Sequence, residues 1–163
     1  MSLLRENKPL FGDLVVLNTS SLSSLMKTNC IDILVSTFRR RLVPEEVSKE
    51  IKRRHQLPTG VEAWTLNADQ KDRARSLGLH LGESQAIVLA RDLDAPLIMD
   101  DSPAQKVAEK LEVAVIGSVA FVKVAFVKCL LTSSDYQNRI TAFERTHRVN
   151  IGIISWARHA SKP

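Results

Sequence analysis

Apolar residues fall along this chain in short blocks separated by amphipathic stretches, and the blocks define its elements. Leu14 to Leu17 is a β-branched apolar run with charge before it and polar residues after it, which predicts a strand buried on both faces. A helix follows, with Ser20 or Ser21 able to cap it and Leu22, Leu25 and Met26 on one face. Asn29-Cys30 interrupts the pattern, and Ile31, Leu34, Val35 and Phe38 then predict a second amphipathic helix. Leu42-Val43 reads as a brief strand, and Pro44 fits the first turn of a helix that turns Val47 and Ile51 inward. Pro58-Thr59-Gly60 has turn chemistry. Between Gly60 and His80 the pattern weakens: Ala63 to Leu66 fits a short strand or a surface strip, and Asp69 to Leu77 a polar helix.

The strongest helical stretch is Gly82 to Leu93, with Ala86, Ile87 and Ala90 on its apolar side. Ala95 to Met99 is a second buried strand, after which Asp100-Asp101-Ser102-Pro103 opens a helix to Leu111 with acid where the helix dipole favours it. Val113 to Ile116 is the third such strand and Ser118 to Cys129 the helix behind it. Asp135 to His147 reads as one more helix and Val149 to Ile154 as a terminal strand. Strands alternating with helices predict an α/β fold with a parallel sheet covered on both faces. Right-handed crossovers bring the C-terminal strand ends to one edge, where such sheets bind ligands. Asn18, Asp100 and Asp101 all fall at that edge. No internal repeat or low-complexity segment interrupts the series.

Val113 to Leu131 is apolar enough to resemble a membrane span, but it carries Lys123 and Lys128. A lysine in mid-span costs about 2.5–3.5 kcal/mol, so a strand plus a buried helix is expected, with no membrane partner. The 163 residues fit a single domain over 1–163. A domain of about 150 residues buries roughly 70% of its unfolded surface and needs no disulfide or structural metal. Cys30 and Cys129 lie in no metal-type spacing and are expected to be buried thiols in a reducing compartment. The opening MSLLRENKPLFG lacks the apolar core of a secretory signal, so a cytoplasmic protein is expected. A net charge of +5 adds a weak bias toward a polyanionic partner. The densest basic runs, Arg39 to Arg41 and Lys52 to His55, also read as a solvated helix end and loop.

Acidic or amide side chains recur at the junctions between apolar blocks: Asn18, Glu50, Glu83, and Asp100 with Asp101. Each has an ordinary reading. Glu50 can be a solvated residue paired with Arg53 or Arg54, Glu83 and Asp101 first-turn acids, and Asn18 a helix cap. Gathered at one sheet edge, they are the hard oxygen ligands that would hold Mg²⁺ or Mn²⁺ against a phosphodiester, in a site unlike the His and Cys sites of zinc. His55, His80, His147 and His159 are scattered and read as surface or loop residues rather than bases. There is no G-x-S-x-G, G-x-x-x-x-G-K-[ST] or G-x-G-x-x-G, which leaves serine hydrolases and simple nucleotide-binding enzymes without support.

The order of motifs VVLNTSSL, VPEEVSKEI, LGESQAIVLA and APLIMDDSPAQKVAEKLEVAVIGS, over about residues 13–130, resembles the PIN domain family. Within that family it is similar to the small prokaryotic proteins of toxin-antitoxin pairs. The resemblance implies a three-layer α/β/α sandwich and a metal-dependent endoribonuclease for single-stranded RNA, blocked by a small antitoxin and often dimeric. It places the four acidic positions on Asn18, Glu50, Glu83 and Asp101, with Ser20 as a supporting hydroxyl. Glu50, Glu83, Asp100 and Asp101 are then the expected ligands of Mg²⁺ or Mn²⁺. Lys49, Lys52, Arg53 and Lys106 are the expected guides for the RNA backbone. Asn18 departs from the pattern: its amide brings no negative charge, which lowers metal affinity and disfavours a second ion. A catalytically weak RNA-binding or interaction module is therefore the alternative, and another metal-assisted phosphate chemistry a third reading. Apolar residues beyond one helix face, Phe121, Val122, Val124, Phe126 and Val127, suit either a homodimer or a core.

Overall fold

The computed structural model describes residues 13–146 and 148–159. Five parallel strands form one sheet: β1 (Leu14–Leu17), β2 (Arg40–Pro44), β3 (Val61–Trp64), β4 (Leu97–Ile98) and β5 (Val115–Ile116), in the order β3-β2-β1-β4-β5. The chain runs outward from β1 through β2 to β3, then returns to the other side of β1 for β4 and β5. The switch point lies between β1 and β4. Registers Leu17↔Ile98 and Ile98↔Ile116 bring Asn18, the Met99-Asp100 exit and the Gly117-Ser118 exit to one level on the C-terminal edge.

Val15 and Leu17 face one core while Val16 faces another, so β1 is buried on both sides as its unbroken apolar run predicts. The first layer consists of α1 (Thr19–Lys27), α2 (Ile31–Thr37), α3 (Glu45–Lys52), α7 (Ser118–Val127), α8 (Ser133–Arg145) and α9 (Ile151–Arg158). On the opposite face lie α4 (Ala68–Arg75), α5 (Leu81–Asp92) and α6 (Ser102–Lys110). This is a three-layer α/β/α sandwich. The central helix α5 is buried along nearly its whole length, which explains its small and aliphatic composition.

Several local expectations change. Asn18, rather than Ser20 or Ser21, caps α1. Pro44 ends β2 and is the N-cap of α3, just ahead of the first helical turn. Val35 is exposed and Phe38 lies beyond the end of α2, whose buried face is Ile33, Leu34 and Thr37. The segment expected to be a terminal strand is helical: α9 begins at Asn150, whose side chain accepts the Gly152 N–H at 2.7 Å, and it buries Ile154 and Ala157 at i, i+3 spacing. Short apolar runs cannot separate strand from helix by period alone, and packing against α7 and α8 decides it here.

Cys30 is buried, with its thiol pushed up by burial, but Cys129 is exposed at a positive φ just past α7. Phe121, Val122 and Phe126 are core residues, so that part of the apolar surplus is filled from within, Phe126 by stacking on Tyr136 at 4.2 Å between centroids. Among the described residues no helix is long and apolar enough to cross a membrane. The Arg39 to Arg41 run sits at the start of β2, away from the C-terminal edge: Arg39 and Arg40 pair with Asp13 and Glu62, and Arg41 donates to the Gly60 carbonyl at 2.8 Å. Gly60 holds φ +89 there, which favours glycine. His147 and residues 1–12 lie outside the described residues, and with them the expectations for the opening segment and that histidine.

Candidate active site

The edge at the switch point collects side chains from four elements. Asn18 leaves β1 almost fully buried, and its Oδ1 accepts the Ser21 N–H at 3.0 Å, with Ser20 Oγ at 3.4 Å. Because the oxygen serves the cap, the amide nitrogen is the atom left over, and it is buried with no hydrogen-bond partner. Ser21 Oγ ties the same turn to β4 through the Ile98 carbonyl at 2.7 Å. Ser20 itself is exposed.

Glu50 reaches the edge from α3, with its side chain 16% exposed. Oε2 accepts from Thr19 Oγ1 at 2.6 Å, whereas Oε1 is buried without a hydrogen-bond partner and has His80 Nδ1 3.7 Å away. Gly82 makes room for it: a Cβ at that position would lie 3.0 Å from Glu50 Oε1 and 3.5 Å from Thr19 Oγ1. This is a steric reason for glycine in the first turn of α5.

Glu83, in the same turn, is half-buried. Its carboxyl is held above the usual carboxylate range first by burial and then by the negative charge of Asp101, with Glu50 adding to the effect and His80 opposing it. The three carboxylates therefore share one electrostatic neighbourhood, although they come from α3, α5 and the loop after β4. Asp101 is the N-cap of α6, with Oδ1 accepting the Ala104 N–H at 2.9 Å. Asp100 turns the other way. Its two oxygens accept the Ser118 N–H at 2.7 Å and Ser118 Oγ at 2.6 Å, which commits the side chain to the start of α7. Of the Asp pair, Asp101 is the one whose charge reaches Glu83.

Among the described residues no three His, Cys, Asp or Glu side chains stand close enough to form a ready metal-binding group. Glu50 is tied to Thr19 and Asp101 to the α6 cap, and like charges resist closer approach.

Two hollows flank the acids. The first, about 440 Å³, has Glu46 and Glu50 on its wall and Lys27, Arg53, Arg54 and His55 at its margin. The second, about 750 Å³, runs from Asp100 and Asp101 across Gln105 to Val149, Ile153 and Trp156. Arg148 lines both. Lys49, Lys52 and Lys106 are exposed and line neither, so of the basic residues expected from sequence only Arg53 faces a hollow. Sequence reasoning passed over Thr19 and Arg148. It read His80 as a surface or loop residue, which its exposed place just before α5 bears out, without foreseeing its approach to Glu50. Thr19 adjoins Asn18 and His80 precedes the LGES motif, which were usable signals, whereas Arg148 had none.

A parallel sheet with acids collected at its switch point thus lies between two helical layers. The chain belongs to the PIN domain family: residues 14–148 match the family model DUF3368, described as a PIN domain. PIN domains are generally nucleases. No curated protein matches the chain. The match extends beyond the motifs to the end of α8 and stops before α9.

The raised Glu83 carboxyl has a consequence for stability. A carboxyl whose folded pKa exceeds its unfolded value contributes most below the unfolded value, about 4.3, and that contribution is lost as pH rises through the folded one. Glu83→Gln is therefore expected to melt above the wild type at neutral pH, with the gap closing below about pH 4. Thermal melts across pH 3.5 to 7.5 measure it, and a gap that stays constant with pH would contradict the assignment.

Proposed function

We propose that this protein is a divalent-cation-dependent endoribonuclease that cleaves single-stranded RNA at the Glu50, Glu83 and Asp101 edge, as the toxin of a toxin-antitoxin pair. One observation carries this reading: carboxylates delivered from α3, α5 and the loop after β4 meet at one sheet edge, where burial and then the charges of Asp101 and Glu50 raise the Glu83 carboxyl above its usual range. The donor set fits Mg²⁺ or Mn²⁺. It is all oxygen, Glu50 Oε1 is buried without a hydrogen-bond partner, and a cation would offset the repulsion from Asp101 and Glu50 that adds to burial in raising Glu83.

When bound, the cation supplies a more acidic water and neutralises charge on the phosphodiester. The chain does the rest. Thr19 and the space left by Gly82 orient Glu50, the α6 cap fixes Asp101, and Asp100 holds the start of α7 in place. The basic margin of the first hollow draws in the backbone, with Arg53, Arg54 and Lys27 placed for phosphates. The same reading includes a small antitoxin protein and a homodimer as partners and a cytoplasmic location. Incubation with labelled single-stranded RNA and Mg²⁺ or Mn²⁺ tests it: cleavage abolished by chelator supports the enzyme, and intact RNA in both ions defeats it.

Asn18 supports a second reading, a weakly active RNA-binding or interaction module, because its oxygen is spent on the α1 cap and its nitrogen cannot ligate a cation. Asn18→Asp keeps one oxygen on Ser21 and places a second, charged oxygen at the buried nitrogen's position. It is expected to tighten Mn²⁺ binding about tenfold by calorimetry. An unchanged affinity would remove Asn18 from the account.

A further inference from the structure

The family match ends at residue 148, yet the chain continues into a helix that forms one wall of the second hollow. That wall is unusual for a surface helix. Ile153 and Trp156 stand about half exposed and line the hollow opposite Asp100 and Asp101. The helix is firmly seated: Tyr136 Oη donates to the Ala157 carbonyl at 2.7 Å from a buried position, and Arg158 pairs with Glu144. Lys123 closes the arrangement, donating to the Trp156 carbonyl at 3.1 Å with its ammonium 3.4 Å from the indole centroid. A lysine that spoils a membrane span thus fixes an aromatic ring beside the acidic edge.

Arg148 sits where the two hollows meet. On one side of it the margin is basic, and on the other the wall is apolar and aromatic. Phosphates suit the first, and unpaired bases suit the second, because every base has a face to stack while a paired strand hides it. Taking the proposed ribonuclease reading as its basis, we infer that Arg148 and the α9 wall form a substrate-positioning subsite for single-stranded RNA. Arg148 clamps the backbone where it crosses between the hollows, and Trp156 stacks a base next to the acidic edge. The subsite selects an unpaired strand by its exposed bases and sets which phosphodiester lies over Glu83.

The test is fluorescence anisotropy on the whole protein in chelator, with a fluorescein-labelled single-stranded RNA and a matching strand carrying abasic residues. Trp156→Ala is expected to weaken the base-bearing strand about tenfold and leave the abasic strand unchanged, with Trp156→Phe restoring most of the loss. Arg148→Ala is expected to weaken both strands and reduce the slope of log affinity against log salt by about 0.7. Equal losses on both strands for Trp156→Ala, or no loss for Arg148→Ala, overturn the subsite. So does light scattering in which Trp156→Ala turns a dimer into a monomer, because a second copy would then be the occupant. Should Trp156→Ala fail to fold, Trp156→Leu, which keeps an apolar side chain but has no ring to stack, carries the same comparison. Binding effects as stated without RNA cleavage in metal would sink the hydrolytic reading alone. Cleavage with neither variant altering affinity would sink this subsite alone.

Discussion

Glu50→Gln is expected to lower RNA cleavage at least about a hundredfold while the protein melts at the same temperature or higher. Glutamine has the same shape, so its carbonyl oxygen can keep the 2.6 Å contact with Thr19 while the amide replaces the buried Oε1 that has no hydrogen-bond partner. The change removes the Glu50 charge, the smaller of the two carboxylate contributions that add to burial in raising Glu83, so the Glu83 carboxyl should come down while burial and Asp101 still hold it up. Loss of function paired with unchanged or improved stability is the signature of groups held together against their own repulsion for a purpose. Cleavage assays and thermal melts on the same preparation measure both sides. Activity within a few-fold of wild type would mean that Glu50 is not part of the machinery. A large fall in melting temperature would mean that its contact with Thr19 is structural first.

How much of this was legible depends on which physical signal each feature leaves in the chain. Strand β1 and helix α5 were readable because burial on every side writes an unbroken apolar run. Asn18 and the Asp100-Asp101 pair could be placed because parallel strands deliver their C-terminal ends to one edge, which turns a position at the end of an apolar run into a position in space. Glu50 and Glu83, by contrast, sit on α3 and α5 and leave no such signal. Strands β4 and β5 pair over only two residues each, so the longer runs around them overstated the strands. The segment from Val149 misled for a different reason: its branched residues favour strand locally, and only the packing of Ile154 and Ala157 against neighbouring helices makes it helical. Which carboxylate of the Asp100-Asp101 pair faces Glu83 is set by Ser118, eighteen residues on from Asp100, and no local pattern encodes that. Lys49 and Lys52 looked like substrate contacts by their proximity to Glu50 in sequence, but a helix sends adjacent residues to different faces. Arg148 is the reverse case, remote from every motif and placed at the junction of both hollows by the turn between α8 and α9.

Phe121→Ala is expected to cost about 3–5 kcal/mol of stability, the usual range for truncating a buried phenylalanine. Phe121 has no exposed surface and lies 6.1 Å from Phe38 between ring centroids, with the planes 26° apart, in the core between the sheet and the outer helices. In a domain of this size each kcal/mol shifts the melting temperature by roughly 2–4 °C, so a fall on the order of 10 °C should follow. Urea unfolding should show a lower midpoint with an unchanged slope, which separates lost packing from a change in the unfolded chain. The site feels this loss through one helix. Ser118, three residues before Phe121, holds both oxygens of Asp100, and Val119 lines the second hollow. Loosening α7 should therefore release Asp100 and reduce RNA cleavage more than Phe121→Leu, which retains most of the buried volume. A cost below about 1 kcal/mol would place Phe121 outside the core and detach α7 from the support of the site.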